Sequence, residues 1–458
     1  MKSSEDSSLV EGGIVKATWR FGAPLAAGLA LHGLFNFVDL AFVGRLDAGA
    51  IAAVTVAGVI VMIPMLLFDA VTGVAVAEMA QAHGARDRTK FHDVAREVLR
   101  LSWIAAIPCL LAIVPFQMVL ARFFPNDMAT LKAGTDYLDI MTLGSVSMFV
   151  LMSVAAVFRG VGDGRTPTVL LLGANLLNML LNWVMMFGHW GCPAMGVAGA
   201  AWATVISRGI AALIGLFLLQ RGTSAIQFGR HASSRAISYV GRLLRGGVLV
   251  ALQLSVRVVA QLVIMGFAAG AVVGNSTPMV DGVGVATRLD MVTVFTALGW
   301  GAAATTVVGQ NLGSGQPDRA RRGLWACTAF AIVTGGIIAL TLWIFRVECF
   351  AIMAPDASKE VLDAGLRYWR ISLPFFPLLA IGAVISRGLV GGGRTAVPLV
   401  VDVLIYGLAL PAAAWFSVTP PHAERAWWIQ GAAHAAAALA YIAIVVFSGL
   451  TPRRSRAL

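Results

Sequence analysis

Residues 159–166 read RGVGDGRT, and residues 387–395 read RGLVGGGRT. A glycine-rich turn between two apolar runs ends one helix and starts the next. Its double occurrence asks whether the chain repeats itself, and a second place answers. Gln81-x-x-Gly84 and Gln310-x-x-Gly313 each close an apolar run. Gln81 and Gln310, Gly84 and Gly313, and Arg165 and Arg394 are each 229 residues apart. That is half of a 458-residue chain, with one residue inserted in the second loop. Three matches at one offset indicate a duplicated unit.

The unit is built from membrane-spanning helices. The chain is 58% hydrophobic and only 12% charged, where soluble domains carry about 25% charged residues. Continuous runs near the ~20-residue spanning length recur throughout. They predict helices over 16–44, 50–80, 94–121, 133–159, 165–188, 196–220, 239–268, 281–310, 320–346, 361–390, 395–418 and 426–449. The runs do not alternate, which excludes the pattern of a β-barrel. The fold class is an all-α polytopic membrane protein with twelve transmembrane helices in two pseudo-symmetric six-helix lobes. Six helices per copy make both copies enter the membrane from the same side, a transporter arrangement.

Charge sets the orientation. The net charge of +11 reports topology here and not nucleic acid, because cytoplasmic loops collect Lys and Arg. Lys16, Arg86, Arg88, Lys90, Arg230, Arg235, Arg319, Arg321, Arg322, Arg394 and Arg453 are among the basic residues on one side; the opposite loops hold few, Arg346 and Lys359 among them. The bias, roughly threefold, places both termini in the cytoplasm of an inner, cytoplasmic membrane. The expected organisation is an N-terminal tail over 1–15, an N-lobe over 16–220, a basic cytoplasmic linker over 221–238, a C-lobe over 239–449 and a C-terminal tail over 450–458. Cys109, Cys192, Cys327 and Cys349 have no metal-ligand spacing, so no metal site or disulfide framework is indicated. No cleaved signal pattern precedes the first span.

Several motifs together resemble the multidrug and toxic compound extrusion (MATE) family. They are Pro24 followed by Val38-Asp39 and Val43-Gly44-Arg45, Gly84, and Arg159 to Pro167. Asn178-x-x-x-Asn182, Gly196-Val197-Ala198-Gly199-Ala200-Ala201 and Gly309-Gln310-Asn311-Leu312-Gly313 complete the set. Within that family the chain is most similar to the DinF branch. Arg257 stands where the NorM-like, sodium-coupled branch carries a Glu, and 371–390 contains no Asp, although that branch has one there. The DinF branch often has an Asp where this chain has Asn182. The resemblance implies secondary antiport: protons or sodium ions enter, and a lipophilic, often cationic organic compound leaves. It implies two lobes around a cleft that opens alternately to either side, and a bend of the first helix at Pro24. A coupling ion, H+ or Na+, is expected, and no cofactor.

The residues themselves suggest where coupling occurs. His32, Asn36, Asp39 and Val43 share one face of the first helix. Polar groups on one stripe of a spanning helix face a bundle interior or a wet cavity. Asn175, Asn178 and Asn182 share a face of the fifth helix, and the expectation is that the two stripes meet. The amides would then bond Asp39 in either protonation state. Burial favours the neutral acid, so Asp39 could take a proton on one side and release it on the other. One charge crossing 100 mV supplies ~2.3 kcal/mol. The plainer readings are that Asp39 pairs with Arg45 at the outer interface, that His32 is a packed histidine, and that the asparagines are interhelical contacts worth ~0.6 kcal/mol each.

Other intramembrane charges follow. Asp69 is a second candidate for the ion or substrate path, and Glu78 reads as a structural charge near a loop. Arg257 is deep in its helix and needs a partner; Asp290 is the expected one, with Arg288 competing for it. That pair reads as structural, or Arg257 as a gate or an anchor for an anionic substrate. Asp402 ranks below these. Pro24 removes a helix hydrogen bond and is the candidate hinge.

Partners expected are a small organic substrate and membrane lipid, with no nucleic acid, and the chain is expected to be a monomer. The alternatives are a major-facilitator transporter and a lipid-linked saccharide flippase of related architecture. Residues 84–90, GARDRTK, begin like the major-facilitator loop signature and then depart from it. An enzyme is not expected, because no nucleotide-binding, metal or nucleophile constellation occurs.

Overall fold

The computed structural model describes residues 9–44, 46, 48–222, 236–271, 277–419 and 422–450, with backbone alone for 36–41, 44, 48 and 236–238. Every regular element among them is helical. The first half holds α1 (Ile14–Gly44), α2 (Ala48–Gly84), α3 (Arg88–Leu111), α4 (Ile113–Ala121), α5 (Met128–Leu143), α6 (Ser145–Val161), α7 (Arg165–Phe187) and α8 (Gly196–Gln220). The second half holds α9 (Ala236–Gly270), α10 (Thr277–Gly313), α11 (Pro317–Ile344), α12 (Arg346–Met353), α13 (Lys359–Ser372), α14 (Phe376–Gly391), α15 (Ala396–Asp402), α16 (Leu410–Ser417) and α17 (Arg425–Ser448). A 3-10 turn, Leu373–Phe375, joins α13 to α14, and a π-helix, Val403–Ala409, joins α15 to α16.

Nine described helices are long and apolar enough to cross a membrane, and two bent pairs raise the number to eleven. α1, with 31 residues, is long enough at 1.5 Å per residue to supply a twelfth crossing. The third and fourth expected spans are the bent pairs. α3 and α4 meet at 49°, and α5 and α6 at 46°. Pro115 explains the first bend: its ring clashes with the carbonyl four residues back, at Leu111, and it offers no N–H. Gly144, the residue between α5 and α6, marks the second.

The repeated loops end helices in the same way. Gly162 (φ 89°) and Gly393 (φ 80°) adopt the left-handed conformation that favours glycine. After each, the next amide returns to a carbonyl five residues back: Asp163 to Phe158 at 3.0 Å and Arg394 to Leu389 at 2.9 Å. This is the Schellman closure. The Asp163 carboxylate then accepts from the Arg165 and Thr166 amides at 3.0 Å, starting α7.

Contacts divide the chain into one unit over Leu31–Val248 and another that joins Met1–Ala30 to Leu249–Leu458. The expected lobes, 16–220 and 239–449, are therefore cut differently, inside α1 and inside α9. Packing gives the reason. Gly299 of α10 lies against the backbone of Ala26. Trp19 stacks near Trp300 (5.7 Å) and Phe330 (5.0 Å). Gly247 of α9 packs on Val71 of α2. Most of the expected linker and tails, at 1–8, 223–235 and 451–458, lies outside the described residues.

The segment before α1 is held by side chains of the second unit. Arg319 donates to the Gly12 and Glu11 carbonyls at 2.7 Å, Gln316 to Val10 O at 3.3 Å and Asn311 to Leu9 O at 3.2 Å. Leu9 is buried.

Candidate cation-coupling site

In the first unit, α7 and α8 approach closely because Gly199 lies against the Met185 backbone, where a side chain would have no room. That approach aligns the asparagine face of α7 with α8. Asn175, Asn178 and Asn182 are all buried. Asn178 Nδ2 donates to Thr204 Oγ1 at 3.2 Å, and Asn182 Nδ2 to Asn178 Oδ1 at 3.4 Å. Arg208 of α8 donates through Nη2 to Asn175 Oδ1 at 3.4 Å. From α1, His32 Nδ1 meets the same Asn175 oxygen at 3.3 Å.

His32 and the α7 stripe are thus in one network. Asp39 and Asn36 lie on α1 within the stretch whose side chains are outside the described residues. Asp69 is half-buried on α2, and the Thr72 hydroxyl donates to its backbone carbonyl at 2.9 Å. Pro24 sits inside α1, which runs unbroken from Ile14 to Gly44. Glu78 pairs with Lys90 at 2.7 Å, near the α2–α3 loop.

The second unit corrects the expected pairing of Arg257 with Asp290. Arg257 forms a two-point ion pair with Asp402: Nε to Oδ2 at 2.5 Å and Nη2 to Oδ1 at 3.1 Å. Gln253 Nε2 also donates to Oδ2 at 3.0 Å, and the Tyr441 hydroxyl to Oδ1 at 2.8 Å. Asp402 is wholly buried. The guanidinium lies over the Tyr406 ring, 5.3 Å from its centre, and the Tyr406 hydroxyl meets His434 Nδ1 at 2.9 Å. Bidentate geometry with further donors is the arrangement in which burial of two charges is tolerated. Asp402 also immediately precedes the π-helix, an element frequently found at functional sites. Asp290, on α10, instead accepts from Trp369 Nε1 of α13 at 2.8 Å.

Sequence reasoning missed Arg208, Thr204, Gln253 and Tyr441. Some signal was present. Gln253 and Arg257 are one turn apart on α9, and Arg208 is the charged residue in an otherwise uncharged α8.

The likeness to known proteins extends over nearly the whole chain. The MatE family model matches residues 24–184 and 250–415, one stretch in each copy of the repeat. A probable multidrug resistance protein NorM of Thermotoga maritima is 26% identical over 412 residues, covering 87% of this chain and 85% of that protein. The multidrug resistance protein PmpM of Pseudomonas aeruginosa is 26% identical over 430 residues, covering 90% and 87%. A solved outward-facing multidrug resistance MATE family transporter of the MOP superfamily superposes with a TM-score of 0.88 at 19% identity, covering 98% of this chain and 99% of that one. This last likeness is one of fold.

Proposed function

We propose, starting from the fact that this chain belongs to the MatE family of multidrug transporters, that it is a proton-coupled antiporter. Lipophilic, often cationic organic compounds leave by alternating access as protons enter. Members of this family are transporters and not enzymes. Membership also removes the major-facilitator alternative. In this reading the protein acts as a monomer in the cytoplasmic membrane, with both termini inside.

Asp39 is the coupling acid of the proposal. The observation that supports it is the bond between His32 of α1 and Asn175 of α7. It brings the helix that carries Asp39 to Asn175, which shares a face of α7 with the buried amides Asn178 and Asn182. Amides can donate to a carboxylate and accept from a carboxylic acid, so such a partner set serves both states of the acid. Arg208 adds a positive charge to the same network and favours release of the proton once the site is wetted.

The test is reconstitution in liposomes with a pH gradient or a sodium gradient imposed separately, following a fluorescent organic cation. The expected result is pH-driven transport that Asp39→Asn abolishes. Equal transport by the variant under every gradient, or transport driven by sodium alone, overturns the proposal.

A further inference from the structure

Asp402 and Asp290 are both buried in the second unit, yet among the described residues only Asp402 is paired with a cation. Asp290 is 4% exposed. Its Oδ1 accepts from Trp369 Nε1, while Oδ2 is buried with no hydrogen-bond partner. The Tyr368 hydroxyl approaches the carboxyl from α13, short of hydrogen-bond geometry to Oδ2. One turn along the same face of α10, the Thr293 hydroxyl is also buried and unpartnered. Thr287, Thr296 and Thr305 on this helix return their hydroxyls to the carbonyl four residues back. Thr293 does not, and its methyl faces Gly335 of α11.

Among the described residues, no charged side chain on the elements packed against α10 forms an ion pair with Asp290; on α1, which packs on α10 through Trp19, Lys16 and Arg20 are exposed. On α10 itself, Arg288 and Asp281 are exposed. On α11, the charges Asp318, Arg319, Arg321 and Arg322 all lie in the first two turns, and Cys327 is the buried titratable group. On α14, Arg387 packs against Gly301, eleven residues along α10 and about 16 Å away at 1.5 Å per residue. On α12, Arg346 is half-buried over the Trp343 ring, Glu348 is exposed and Cys349 half-buried; on α13, Lys359, Glu360, Asp363, Arg367 and Arg370 are exposed. Tyr368 and Trp369 are the groups that act on the carboxyl.

An ionised carboxylate buried without a cation carries a penalty of several kcal/mol. A sodium ion would need a fuller set of oxygen ligands than two hydroxyls and one carboxyl. A proton needs a single oxygen, and the open one is Oδ2.

We propose that Asp290 is a proton-binding site of the second unit, in which Oδ2 takes a proton from hydronium, whose O–H bond breaks to leave water, and the nearby Tyr368 hydroxyl is the group placed to accept from the resulting acid. One O–H bond forms, and the buried charge disappears. The site is separate from Asp39, which lies in the first half of the chain. Its use in transport rests on the antiport reading above; proton binding itself does not.

Infrared difference spectroscopy of the purified full-length protein at neutral pH, wild type against Asp290→Asn, tests it. The expected result is one protonated-carboxyl band present in wild type and lost in the variant, unchanged by added sodium. Loss of only ionised-carboxylate bands overturns the proposal, as does a band that sodium removes. If Asp290→Asn does not fold, Trp369→Phe takes its place. Removing the indole donor should shift the frequency of the protonated-carboxyl band, and an unmoved band overturns the assignment. No transport is measured, so failure here leaves the Asp39 reading intact, and failure of that reading leaves this one intact.

Discussion

Asp402 and Asp290 occupy the same unit, on helices of the same membrane-spanning kind, at 0% and 4% exposure. Their surroundings differ. Four donor contacts from three side chains converge on Asp402, one of them a guanidinium in two-point contact. One indole N–H serves Asp290, with the Tyr368 hydroxyl beside it. The difference teaches that burial alone does not fix what an acid does. Asp402 is held as an anion by a tethered cation, so an ion from solution has nothing to add there. Asp290 has an open oxygen and no tethered cation, so its balance of charge depends on something that can come and go.

Removing the tethered cation gives the largest effect. Arg257→Leu leaves Asp402 as an uncompensated buried charge and should lower stability by about 3–5 kcal/mol. Thermal unfolding in detergent reads this loss. Adding Asp402→Leu to the same chain should recover most of it. A single variant as stable as wild type would break the contrast, because Asp402 would then also be neutral.

Next comes the packing that presents Trp369 to Asp290. Gly365 of α13 lies against the Gly282 carbonyl of α10 and the Phe350 ring. Gly365→Ala overpacks this junction, at a cost of about 1–3 kcal/mol. It should also move α13 and weaken the indole bond, seen as a change in the ultraviolet signal of buried tryptophan. A stability loss without any spectral change would separate the packing from the acid.

The smallest effect belongs to an exposed acid outside the spans. Asp127 caps α5 by accepting from the Thr130 amide at 3.0 Å. Its hydrogen bonds with Thr130 hold its carboxyl below the usual range. A depressed value means the cap contributes above the unfolded carboxyl value of ~3.9 and is lost as pH falls through the folded one. A lower protection factor for the Thr130 amide, taken against its intrinsic exchange rate at the same pH, in Asp127→Ala or in wild type at acid pH checks this. The fold should not otherwise respond.

Much of the architecture was legible in the chain. The paired loops at 159–166 and 387–395 revealed the duplication because a left-handed helix cap needs glycine. The asparagine stripe was legible because residues three and four apart share a helix face. The partner of Arg257 was not. Asp402 lies 145 residues away, and periodicity tells which face a residue occupies but not which helix that face meets. The cuts inside α1 and α9 were hidden for the same reason. They depend on contacts at Gly299 and Gly247 that no local pattern announces.

The clasp on residues 9–12 has a consequence for the beginning of the chain. Asn311, Gln316 and Arg319 grip main-chain oxygens, which any residue type supplies. Leu9, seated in the apolar interior, is the letter that cannot be freely respelled. Trimming the amino terminus through residue 8 leaves these bonds in place, whereas trimming through residue 12 leaves Arg319 without the carbonyls it grips, throws Asn311 and Gln316 back on Val307 and Ser314, and uncovers the seat of Leu9 in one stroke.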